Sequence, residues 1–250
     1  MKNLRKAAIY RVVLGPYDRA IEDNVSREDY DLFLFTDIEQ RGFTNYERKM
    51  LPTTELPALK NRELKINVPK CLRDYDVVIY VDANIQICKN IDLLLDEFLA
   101  SDADFGFFRH PYSNNIEEEI QAVLSNRKAM PEILNKELEA LNYTNGAISR
   151  EPVTDNSIIF RKNFSRWDLF AFEWYSYVQK YTGRDQISLP FLREKHKLTE
   201  HVFSWSPRNI TNKYFVVFPH QVRLEKSTIG YFKSFLLFIK KSFESRFKQL

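Results

Sequence analysis

The sequence predicts an α/β fold, a mixed and mostly parallel sheet flanked by helices, and three observations carry that reading. Apolar segments of strand length alternate along the chain with longer segments of helical character, the order that builds a parallel sheet with helices on both faces. The segment Val77–Val81 (VVIYV) is apolar throughout, as a strand covered on both faces must be. It ends on Asp82, with Asn84 two residues on, and in open α/β sheets ligands bind at the carboxyl ends of the strands.

Ala7–Leu14 reads as the first strand, followed by a turn at Gly15-Pro16-Tyr17-Asp18. Asp31–Thr36 is the second strand and ends at Asp37. Residues 38–57 are polar, carry two prolines and are expected to be loop. Leu59–Val68 reads as a helix, and Val77–Val81 as the third strand. Ile91–Leu99 is a short helix with Asp92 and Asp96 outward, and Asp104–Phe108 is a fourth strand ending at Arg109-His110-Pro111. Asn115–Leu141 is a long polar helical region interrupted near Pro131. Val153–Arg161 holds a strand centred on Ser157–Phe160. Arg166–Tyr181 is an amphipathic helix carrying Trp167, Phe170 and Trp174, and Asp185 to about Lys195 is another helix. Tyr214–Phe218 is the last strand, followed by Pro219-His220. With no internal repeat and no low-complexity linker, the expected division is one domain over residues 1–225 and a separate helix over 226–250.

Composition narrows the function. Hydrophobic residues make up 44% and charged residues 28%, values normal for a soluble globular domain. Six glycines leave no Gly-rich phosphate loop, so any bound phosphate must be held by a cation and basic side chains. Cys71 and Cys88 fit neither a metal motif nor a disulfide framework. A net charge of +3 is too small to argue for nucleic acid. The start of the chain has no secretory signal pattern and no stretch is apolar enough to span a bilayer, so a cytoplasmic protein is expected. The oxygen-bearing side chains of Asp82 and Asn84, at spacing x, x+2, can both face one divalent cation bridging two phosphates, and hard cations such as Mg²⁺ and Mn²⁺ favour such ligands. A strand followed by Asp and Asn is also an ordinary turn.

Five pieces in order carry a resemblance: Asn61–Ile66 (NRELKI), Tyr80–Ile85 (YVDANI), Arg109-His110-Pro111 with Glu117-Glu118-Glu119, Asp155–Arg161 (DNSIIFR) and Arg184–Ser188 (RDQIS). Together they resemble a glycosyltransferase of the GT-A fold. More closely, they are similar to the glycosyltransferase-like family that includes plant mucilage-polysaccharide proteins and bacterial capsule and surface-glycan proteins. The resemblance spans residues 7 to about 222. Asn84 stands where the familiar Asp-x-Asp pattern has its second Asp, a departure that bears on metal dependence.

The resemblance implies transfer of a sugar from a nucleotide-diphosphate-sugar donor, UDP-sugar favoured, to a surface glycan or a lipid-linked acceptor, with Mn²⁺ or Mg²⁺ as cofactor. It puts Asp82 and Asn84 at the metal and phosphates, with His220 after the last strand as a third metal ligand and His201 as its rival. Arg62 and Lys65, three apart on one helix face, are aimed at the diphosphate. Tyr17 and Asp37 are placed to grip the base and ribose, and Asp155 and Asn156 resemble a turn that contacts the donor sugar. Asp185 and Gln186 lie under the transferred sugar: Asp185 binds its hydroxyls or serves as base toward the acceptor, and Gln186 lines its β-face. Asp185 also suits a helix N-cap. Arg109 and His110, with Glu117 and Glu118 nearby, would shape the acceptor side.

In Ile229–Leu250 the residues Phe232, Phe235, Leu236, Ile239, Phe243, Phe247 and Leu250 recur at helical spacing, among five basic residues and one acidic one. Such a helix suits the interface of an anionic membrane, peripherally on its inner face, or docks on the domain as a terminal helix. Two rivals share the carboxylates: a metal-dependent hydrolase, and a non-catalytic module that binds a glycan or a partner.

Overall fold

The β-branched and aromatic runs form the strands, and their pairing sets the architecture. The computed structural model describes residues 7–16, 18, 21–25, 28–39, 45–143, 152–220 and 228–246, the last segment with side chains over 232–241. A seven-stranded sheet has the order β3-β2-β1-β4-β7-β6-β8. Its members are β1 (Ala7–Val13), β2 (Asp31–Thr36), β3 (Glu47–Met50), β4 (Val77–Val81), β6 (Phe105–Arg109), β7 (Thr154–Arg161) and β8 (Glu200–Phe203). β7 alone runs against the others, antiparallel to both β4 and β6. A reversed strand begins where its neighbours end, so Thr154–Ser157 sits at the edge that carries the carboxyl ends of β4 and β6. A second, two-stranded antiparallel sheet joins β5 (Ile85–Ile87) to β9 (Phe215–Val217).

Period-two alternation splits the strands between two cores. Ile9, Val13, Ile79 and Val81 point to one face, where they pack with Phe98 of α2 (Asp92–Ala100) and with Phe203 and Phe215. Tyr10, Val12, Val78 and Tyr80 point to the other. There they meet Ile66 of α1 (Pro57–Ile66), Trp167, Phe170 and Trp174 of α5 (Phe164–Lys180), and Leu189 and Leu192 of α6 (Asp185–His196). α3 (Ile116–Ser125) and α4 (Pro131–Ala140) build a smaller core against Ile187 and Phe191. α7 (Thr228–Arg246) closes the described chain.

The predicted fold class and its main elements are present, with three differences. The expected loop over 38–57 contains β3, whose sequence ERKM shows no apolar pattern; as an edge strand it needs only the ladder to β2, and charged side chains suit an edge. β5 and β8 are three- and four-residue strands without alternation enough to be read from sequence. The helical region over Asn115–Leu141 is broken near Pro131 as expected, into α3 and α4, and Pro131 opens α4, where a first-turn proline sacrifices no intrahelical bond. α1 starts at Pro57 and ends before Asn67, which turns extended ahead of Val68-Pro69.

Arg11 breaks the apolar pattern of β1 and is fully buried. Its guanidinium pairs with Asp23 at 2.6 Å, donates to Tyr46 Oη at 2.9 Å, and donates to the main-chain oxygen of Asp82 at 2.9 Å. Asp23 in turn accepts from the Ile87 amide at 2.5 Å. Two buried charges thus hold the end of β4 and the start of the β5–β9 ribbon.

Candidate active site

Backbone bonds shape the edge first. The Asp82 amide donates to Ser157 O at 2.8 Å, and Asp82 O accepts from the Ile85 amide at 3.0 Å, closing a tight turn into β5. Asn84 does not point into open space. Its Nδ2 donates to Phe218 O at 2.7 Å while the Phe218 amide donates to Asn84 O at 2.8 Å. This reciprocal pair fastens the exit of β9 to the turn after β4 and brings Pro219-His220 to the same edge. His220 Nδ1 lies 2.8 Å from Asp18 Oδ2.

Beside the turn stands a charged cluster. Lys65 Nζ is 2.9 Å from Asp185 Oδ2 and 3.8 Å from Asp82 Oδ1, and Arg62 Nη1 is 3.8 Å from Asp185 Oδ1. Tyr80 Oη donates to Asp82 Oδ1 at 2.8 Å. Lys65 and Asp185 are nearly inaccessible, whereas the Asp82 side chain is 28% exposed and Arg62 30%. The face shared by Arg62 and Lys65 is as expected. The position of Lys65 is fixed from behind: Tyr10 Oη donates to Leu64 O at 2.9 Å, and Arg161 donates to Tyr10 Oη at 2.7 Å and to Lys65 O. Tyr10 and Arg161 were not among the expected site residues. The available signal was a polar group in a strand buried on both faces, which must find a partner.

Asp185 is not the N-cap of α6; Arg184 holds that position, and Asp185 begins the helix with its carboxylate turned to Lys65. Burial alone would raise its pKa, but Lys65, Arg62 and Arg184 outweigh burial and hold it at about 2, below the usual 3.8. A depressed carboxyl stabilises the fold above its unfolded pKa and loses that contribution as pH falls through the folded one. The Asp185→Asn protein is therefore expected to be the less stable at neutral pH, with the gap narrowing by about 2 kcal/mol between about pH 5 and about pH 2. Urea denaturation across that range measures it, and a constant gap would refute the ion pair.

Asp155 and Asn156 are strand residues, not a turn: both are buried at the start of β7. Asp155 Oδ2 accepts from Arg208 Nε at 3.0 Å, a partner on the loop before β9 that sequence did not suggest. Asn156 Oδ1 accepts from Thr154 Oγ1 at 2.7 Å. Gln186 Oε1 accepts from Arg184 at 2.7 Å, and Gln186 Nε2 faces Thr154 O at 3.5 Å. His110 follows β6, where Glu119, not the exposed Glu117 or Glu118, stands 3.9 Å from its ring. Burial lowers the His110 pKa, although Glu119 opposes the effect. Arg109 is exposed and bonds Asn114 at 3.2 Å. Asp37 accepts from the Gly15 amide at 2.9 Å and so ties together the ends of β1 and β2. Tyr17 lies outside the described residues. His201, the rival ligand, pairs with Glu97 at 3.0 Å.

The donor set can be weighed for a cation. Among the described residues no group of three or more His, Cys, Asp or Glu side chains stands at metal-binding separation. The edge offers the part-exposed carboxylate of Asp82, beside an Asn84 whose amide nitrogen is committed and a His220 paired with Asp18. That fits a hard cation such as Mg²⁺ in kind, because such ions take one or two carboxylates and fill their shell with water and substrate phosphates.

The sequence model of the TOD1/MUCI70 glycosyltransferase-like domain matches residues 64–218, a span that runs from the Lys65 turn to the Asn84–Phe218 clasp. No curated protein matches the chain. The chain belongs to the TOD1/MUCI70 glycosyltransferase-like family.

Proposed function

We propose that this family member transfers a sugar from a nucleoside-diphosphate-sugar, uridine favoured, to a glycan or lipid-linked hydroxyl. The observation that carries the reading is the Asp82–Lys65–Asp185 cluster with Arg62 at the carboxyl edge of the sheet. Two cations fixed beside a part-exposed carboxylate suit a diphosphate that gains charge as it leaves. In the reaction the bond from the anomeric carbon to the diphosphate oxygen breaks, the acceptor oxygen bonds to that carbon, and the acceptor's hydroxyl proton passes to the departing diphosphate or to solvent. Lys65 and Arg62 would stabilise the departing phosphates and Asp82 would hold Mn²⁺ or Mg²⁺, which when bound neutralises the same charge. Asn84 and His220 complete that edge. Asp37, with Tyr17 from the turn after β1, would hold the base and ribose.

Asp185 at a pKa of about 2 is a poor proton acceptor, so its low basicity favours a role in holding Lys65 and sugar hydroxyls over a role as base. Asn156 Nδ2, Ser157 Oγ and Ser188 Oγ are buried without a hydrogen-bond partner among the described residues, and sugar hydroxyls are groups that would satisfy such atoms. Asp155, Gln186 and Ser188 are assigned to this sugar side, and Arg109 and His110 to the acceptor.

Thermal stabilisation by nucleoside diphosphates and sugar nucleotides, with Mn²⁺ and with EDTA, tests the reading. A ligand at about 100 times its Kd adds about 2.7 kcal/mol, a readily measured shift. A shift specific to one nucleotide and dependent on metal is expected, and Asp82→Ala should abolish the metal dependence while the unliganded protein stays folded. If no nucleotide shifts the folded wild type, the non-catalytic module gains; free sugar released without acceptor would favour the hydrolase.

A further inference from the structure

α7 has apolar side chains on two sides, and the structure separates them. At about 100° per residue, Ser234, Leu237, Phe238 and Lys241 fall on one side of a helix, and Phe232, Phe235, Leu236 and Ile239 on the other. The first side docks. Ser234 Oγ donates to Val217 O at 3.1 Å, the buried Lys241 Nζ donates to Phe215 O at 2.7 Å, and Leu237 and Phe238 pack with Cys88, Val216 and Phe218. The stripe that the sequence singles out faces away from the domain: Phe232 is 61% exposed, Phe235 44% and Leu236 49%. Docking therefore accounts for the helix without accounting for the stripe. Phe243, Phe247 and Leu250 lie outside the described side chains.

A charged flank adjoins the stripe. Lys233 and Lys240, seven residues apart and both exposed, lie on one flank of the stripe. Aromatic and aliphatic side chains edged by lysines match a bilayer interface, where the rings enter the acyl boundary and the ammonium groups reach anionic headgroups. Among the described residues no helix is long and apolar enough to cross a bilayer.

We propose that the outward face of α7 seats this protein on an anionic membrane surface with the helix lying in the interface. Lys233 and Lys240 on the flank of the stripe select a negatively charged surface over a neutral one. Val217, which Ser234 holds, pairs with Ile85 in the turn that begins at Asp82. The membrane-facing helix and the donor edge are thus tied to one ribbon, which, on the reading of the site given above, suits an acceptor delivered from the lipid phase.

The full chain is tested by flotation with phosphatidylcholine vesicles, with and without phosphatidylglycerol, beside the triple variant Phe232→Ser/Phe235→Ser/Leu236→Ser. The wild type should float with the anionic vesicles only and be released by added salt. The triple variant should lose about tenfold or more of the bound fraction while keeping the wild-type melting temperature. Absence of vesicle binding by the folded wild type, or equal binding by the variant, overturns the proposal. A concentration-dependent dimer in sedimentation velocity that the same variant abolishes, without vesicle binding, overturns it in favour of self-association. Nucleotide-induced stabilisation in the variant, independent of vesicles, keeps this outcome separate from the donor site.

Discussion

Lys65→Met is expected to lower stability by about 3–5 kcal/mol and to abolish nucleoside diphosphate binding. The first effect follows from burial. Lys65 and Asp185 have side chains 8% and 6% exposed, and breaking a buried pair leaves a charge that neither water nor a partner compensates. In a domain of this size that loss lowers the melting temperature by about 10 °C or more. Asp185, freed from its nearest cation, would titrate higher, toward or above its unfolded value, so the acid-side loss of stability described above should shrink. The double variant Lys65→Met/Asp185→Asn separates fold from function. With both charges gone it should recover most of the lost stability, since interacting residues are not additive. Nucleotide binding should stay lost, because the cation proposed to face the phosphates is still missing. A Lys65→Met protein that melts within about 2 °C of the wild type would show the pair to be solvated. Recovered nucleotide binding in the double variant would remove Lys65 from the donor site.

Asp23→Ala should be at least as damaging to the fold, by about 3–5 kcal/mol, through a different route. Arg11 and Asp23 both have side chains at 0% exposure, so the alanine leaves a guanidinium sealed in the first core. It also strips the Ile87 amide of its acceptor and loosens Tyr46. Because Arg11 also grips the Asp82 carbonyl, the damage should reach the site: nucleotide stabilisation should weaken even at temperatures where the variant is folded. Arg11→Met/Asp23→Leu, which removes both charges, should regain stability but not the Asp82 hold. Urea denaturation measures the first effect and the nucleotide shift the second. A single variant within about 1 kcal/mol of wild type would contradict the burial of this pair.

The strongest elements were legible because their patterns are local. β4 is five apolar residues with both faces covered, and the alternation Ile9, Val13 against Tyr10, Val12 assigns the two faces of β1 without any knowledge of its neighbours. β3 was not legible: ERKM becomes a strand because β2 offers it a free edge, not because its residues prefer one. Lys65 and Asp82 were each recognisable as candidates, but their approach to 3.8 Å joins α1 to β4, and Asp185 arrives from a helix 120 residues beyond Lys65. Spacing in sequence carries no information about such distances.

The sequence by itself determined the fold class, the carboxyl-edge position of Asp82, the shared face of Arg62 and Lys65, and the amphipathic stripe of the last helix. Each follows from the 2- or 3.6-residue period of one element and from where its apolar run stops. Tertiary structure alone decided that β7 is reversed, which sets Asp155 and Asn156 beside Asp82. It also decided that Asn84 clasps Phe218, that Asp185 pairs with Lys65 instead of capping its helix, and that α7 docks by Ser234 and Lys241 and leaves Phe232 outside. These are choices among partners of equal local plausibility. They are settled by which buried charges and backbone groups can be satisfied together once all the elements are packed.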